Sequence, residues 1–72
     1  MGKCYKLTRD DGEDFGTFHS EEEARTVGEE VAWEDECTIR WTKVFGGRTL
    51  GHGGRGASGT VHNYTITRAD CE

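Results

Sequence analysis

TIRWTKVF (38–45), GGRTLGHGGRGASG (46–59) and TVHNYTIT (60–67) run continuously, and the reading of this stretch decides the fold. The outer segments are rich in isoleucine, valine, threonine and aromatic residues, which suit a pleated, half-buried surface. The middle segment holds seven of the chain's eleven glycines and no proline. Glycine bends easily and is costly to order, so the pattern predicts two antiparallel strands joined by a glycine-rich hairpin loop over 46–59. A loop of that length in a short domain is usually functional or disordered. Ile39, Trp41 and Phe45 share one face of the first strand, and Arg40, Thr42 and Val44 take the other. In the second, Tyr64 and Ile66 alternate with threonines.

Upstream of this stretch, KCYKLTR (3–9) alternates like a strand, and Asp10-Asp11-Gly12 supplies a hairpin turn before Phe15, Thr17 and Phe18. Ser20-Glu21-Glu22-Glu23 reads as a capping box, with three acids where the helix dipole favours negative charge. Ala24, Val27, Gly28, Val31 and Ala32 follow as one helical stripe. Gly28 weakens a helix by about 1 kcal/mol relative to alanine. Its place on the stripe therefore implies close packing against an aromatic ring of the sheet. The helix should end near Trp33, because Glu34-Asp35-Glu36 would oppose its dipole. The expected fold is α+β: a small antiparallel sheet in the order β-β-α-β-β, with one helix packed on one face.

The 72 residues make one small domain, 1–72. Its expected core is Tyr5, Leu7, Phe15, Phe18, Ala24, Val27, Val31, Trp33, Ile39, Trp41, Val44, Phe45, Val61, Tyr64 and Ile66. Such a core holds one helix against one sheet and leaves little volume for a deep substrate cavity. No apolar run reaches bilayer-spanning length and no leader pattern opens the chain, so the expected compartment is cytoplasmic, with no membrane partner. Cys4, Cys37 and Cys71 are odd in number and widely spaced, and no CxxC pair is present. They read as reduced thiols, with no metal site and no cofactor.

Charge is divided along the chain. Residues 1–36 carry twelve acids against four bases, a net −8, and residues 37–72 carry two acids against five bases, a net +3. This asymmetry points to a charged partner. Glu22, Glu29 and Glu30 lie on the outward helix face, while Arg48, His52 and Arg55 lie in the glycine-rich segment, where arginine forks could meet phosphate or carboxylate. Gly51-x-Gly53-x-x-Gly56 matches a dinucleotide fingerprint in letters only, since a strand rather than a helix follows it. His19, His52 and His62 show no triad spacing, so no catalytic residue is assigned.

In layout and composition alone, the chain is loosely similar to small acidic proteins of phages and mobile elements, certain anti-CRISPR proteins among them. That likeness implies an inhibitor of a host nucleoprotein machine and carries over no residue. The expected function is a non-enzymatic interaction protein docking on a larger, nucleic-acid-handling protein through Glu22, Glu29, Glu30, Arg48, His52 and Arg55. The alternative is direct nucleic-acid binding by Arg40, Lys43, Arg48 and Arg55, disfavoured by the overall acidity. A sheet edge on so small a domain also invites pairing into a homodimer.

Overall fold

The computed structural model describes residues 3–44 and 46–71. The elements are β1 (Lys3–Arg9), β2 (Asp14–Phe18), α1 (Glu21–Trp33), β3 (Ile39–Val44), β4 (Arg48–Gly53) and β5 (Asn63–Asp70). They form one five-stranded antiparallel sheet, in the order β2-β1-β5-β4-β3, with the helix across one face. The expected α+β architecture is correct.

The expected loop over 46–59 is not one loop. Its residues Arg48–Gly53 are β4, an interior strand paired on both sides, to β3 and to β5. Ladder hydrogen bonds use the backbone alone, so glycines can sit in a strand when both neighbours are in place. Gly51 and Gly53 are also required there by close approach. A Cβ on Gly51 would lie 2.6 Å from the Trp41 ring, and one on Gly53 would lie 2.5 Å from the His62 carbonyl oxygen. The remaining loop, 54–62, is tied down. Gly54 donates to the Thr38 carbonyl at 2.9 Å and Ala57 to the Asp35 carbonyl at 2.7 Å, while the Asp35 carboxylate accepts from the Ser58 amide and hydroxyl.

The helix begins as its sequence implies: the Ser20 hydroxyl accepts from the Glu23 amide at 3.1 Å. Ala24, Gly28 and Ala32 face inward. At the far end Glu36 takes a left-handed φ of 57°, which lets the Cys37 amide reach back to the Ala32 carbonyl. Gly28 meets the aromatic ring that its position implied. Its Cβ would stand 3.1 Å from Trp41, so the indole lies between Gly28 on the helix and Gly51 on β4. The Trp41 Nε1 donates to Glu29 at 3.2 Å.

Leu7, Ile66, Tyr64, Ala24, Ala32 and Cys37 form the buried core, with Tyr5, Phe15, Phe18, Val27, Val31, Ile39 and Trp41 packed round it. Three expected members stand outside: Trp33, Val61 and Val44, the last opposite Arg48 on the open side of β3. Trp33 is 64% exposed and Val61 is 51% exposed. At about 3.6 residues per turn, Trp33 falls half a turn away from the inward-facing Ala24. Val61 precedes β5, on the loop side. Phe45 lies outside the described residues.

The reading of all three cysteines as reduced thiols is also corrected. Cys4 and Cys71 are joined in a disulfide, with Cα atoms 5.3 Å apart across 67 residues of chain, and Cys37 is free and buried. Sequence spacing concealed the pairing because β1 and β5 are neighbours in the sheet although they lie at opposite ends of the chain.

Candidate functional site

Strand register sorts the candidate residues between two opposite faces. On β3 and β4, Trp41 pairs with Gly51 and Lys43 with Thr49 on the helix side, so Arg40, Thr42, Arg48, Leu50 and His52 point to the open side. Arg40 lies opposite His52, and the His52 Nδ1 is 3.2 Å from the Asn63 Oδ1. Lys6, which sequence reasoning did not single out, belongs to this open face as well. The strand alternation that placed Tyr5 and Leu7 inward already implied it. Lys6 is engaged by Asp14 at 3.2 Å.

Glu22, Glu29 and Glu30 are exposed on the helix, on the other side of the sheet from Arg48 and His52. The six residues proposed as one partner surface therefore do not converge. Arg55 is exposed in the 54–62 loop, outside the sheet and the helix. Lys43 leaves the group postulated for nucleic-acid contact. It turns to the helix side, where its Nζ is 3.5 Å from Glu21.

Glu21 is the paired acid of the helix. It accepts from the buried Thr49 hydroxyl at 2.7 Å and bridges Arg25 and Lys43. The Thr49 hydrogen bond, helped by the two cations, holds its carboxyl below the usual range. A depressed folded pKa gives stability that is complete above the unfolded value of about 4.3 and is lost as pH falls through the folded value. Stability should therefore decline from mildly acidic pH downward, and Glu21→Gln should flatten part of that decline. Urea denaturation of both proteins at neutral and strongly acidic pH tests this. An unchanged pH difference in Glu21→Gln would exclude the assignment.

The other helix acids are differently placed. Among the described residues, Glu22, Glu23, Glu29, Glu30 and Glu34 make no ion pair, and all are exposed. Beside Glu29 and Glu30 a recess of about 390 Å³ opens between the helix and β3, lined also by Trp33, Thr38 and Ile39. β3 is a sheet edge, so the recess borders unpaired strand backbone. This arrangement offers an apolar anchor point within an acidic surface. The exposed Trp33 was the missed residue, and its phase on the helix was the available signal.

Not every acid belongs to that surface. Asp10 accepts from the Asn63 amide at 3.0 Å and lies 3.1 Å from the His62 Nδ1, which depresses its pKa and secures the start of β5. Asp11 is held at about 2 by the Arg9 guanidinium. Asp35 organises the 54–62 loop.

No helix is long and apolar enough to cross a membrane among the described residues. Comparison with protein-family models, curated proteins and solved structures returned no match.

Proposed function

We propose that this chain is a non-enzymatic interaction protein of the cytoplasm. Its acidic helix face engages a basic segment of a larger, nucleic-acid-handling protein, in the manner of a phosphate-backbone mimic. The observation that carries the reading is the exposure of Glu22, Glu29 and Glu30, which make no ion pair among the described residues, on α1 beside the exposed Trp33 and its recess. Charge complementarity selects a lysine- or arginine-rich occupant and accelerates encounter, while Trp33 offers the aromatic contact that commonly anchors an interface. Direct nucleic-acid binding is less well supported. Arg40 and Arg48 share the open sheet face, but Trp41 and Tyr64 face the helix, so among the described residues β3, β4 and β5 offer that face no aromatic platform on which unpaired bases stack.

The test is an NMR titration with an arginine/lysine-rich peptide and, separately, with single- and double-stranded DNA. The peptide should perturb the amides of Glu22, Glu29 and Glu30 and the indole of Trp33. Charge reversal at Glu22, Glu29 and Glu30 together should weaken peptide binding by about tenfold or more, equivalent to about 1.4 kcal/mol. A DNA response centred on Arg40 and Arg48, with no peptide response, would transfer the function to the sheet.

A further inference from the structure

We infer that, once the Cys4–Cys71 bond is reduced, Cys4, His19 and Cys71 form a binding site for a thiophilic divalent cation, for which zinc is the best match. The inference is independent of the helix-face reading. Cys4 belongs to β1, while His19 follows the end of β2 and Cys71 the end of β5. Since β1 lies between β2 and β5, three distant points of the sequence meet at one corner of the sheet. Their ligand atoms all lie within 4.8 Å of one another, and the Cys4 Sγ is 4.0 Å from the His19 Nδ1.

A tetrahedral zinc site has Zn–S near 2.3 Å and Zn–N near 2.0 Å, which sets ligand atoms about 3.5–3.8 Å apart. Opening the sulfur–sulfur bond brings the corner into that range with small side-chain movements. Two thiolates and an imidazole form a set suited to zinc rather than to magnesium or calcium. The fourth position falls to a solvent molecule, since the corner is open at the exposed His19. Cys37 takes no part: it is buried elsewhere, with its thiol donating to the Gly54 carbonyl.

The chemistry balances. Two equivalents of a thiol reductant supply two electrons and two protons. The Cys4–Cys71 bond breaks into two thiols and the reductant becomes a disulfide. Zinc then displaces both thiol protons to solvent as two S–Zn bonds form, while neutral His19 contributes a nitrogen lone pair. A domain this small has a limited core, and a disulfide or a metal is the usual supplementary cross-link. One corner would provide the first under oxidising conditions and the second in a reducing compartment.

The test uses the full chain, reduced, freed of reductant without oxygen, and titrated with zinc by calorimetry and with cobalt(II) by absorption. The expected result is one metal per chain, a thiolate-to-cobalt charge-transfer band, and a zinc-induced rise in melting temperature that the oxidised protein lacks. His19→Ala, at an exposed position, should lose at least the roughly 10–100-fold in affinity that removal of a mere supporting partner costs. If reduction unfolds the chain, the reading is recovery of helical circular dichroism on adding zinc. Absence of the thiolate band, equal zinc binding by the oxidised protein, undiminished affinity in His19→Ala, or failure of zinc to restore an unfolded reduced chain would each overturn the site.

Discussion

Reduction in the presence of a metal chelator should lower the melting temperature by roughly 15–30 °C. The disulfide ties together positions separated by 67 residues, nearly the whole chain. In the chain-entropy description, a closed loop of that size restricts the unfolded ensemble by about 4 kcal/mol. A domain of this length has about 4–11 kcal/mol of total stability, so the cross-link accounts for a large share. Cys71→Ser should reproduce the loss, and reductant should then have no further effect. Calorimetric melting of both proteins decides the matter. A Cys71→Ser protein melting within a few degrees of the non-reduced parent would show that the pairing of β1 with β5 holds the chain ends without help.

Gly51→Ala should cost about 1–3 kcal/mol, the usual penalty for adding a methyl group where no space exists. The new Cβ would lie 2.6 Å from the Trp41 ring and 2.7 Å from Ile39 Cγ2. The indole cannot retreat, because Gly28 on the helix already bounds its other side. It would have to lift the helix or leave the interface, and either movement disturbs its hydrogen bond to Glu29. Gly54→Ala is the control. Its Cβ would stand 3.8 Å from the Thr38 carbonyl oxygen, an ordinary contact, and its stability should change by less than about 0.5 kcal/mol. Urea unfolding of the two variants distinguishes a glycine needed for space from one that is not. Equal stabilities would mean that the sheet and helix do not clamp Trp41.

The helix face and the open sheet face have different bearings on function. Among the described residues the Glu22, Glu23 and Glu30 carboxylates on α1 make no ion pair or side-chain hydrogen bond and Glu29 only accepts from the Trp41 indole, while Glu21, Asp10, Asp11 and Asp35 are committed to the fold. The arginines expected to join them lie behind the sheet or in a loop. A charge count along the chain cannot distinguish these cases, because opposite sides of a sheet are reached by residues one position apart.

The sequence by itself determined the first hairpin, the capped helix and its end near Trp33, the alternation in β3 and β5, and the α+β class. These features depend on local chemistry: turn residues with positive φ, a hydroxyl positioned to cap, and periods of two and 3.6. It also placed Gly28 against an aromatic ring, since a glycine on an apolar stripe has few other uses. Tertiary structure alone decided that Arg48–Gly53 is an interior strand, for glycine carries no local strand preference and β4 is held by its two neighbours. It alone decided that Cys4 meets Cys71 and His19, and that Arg48 and Glu29 lie on opposite sides of the sheet. Those outcomes depend on which strands are adjacent, and adjacency is set by packing of the whole chain against Leu7, Tyr64 and Ile66.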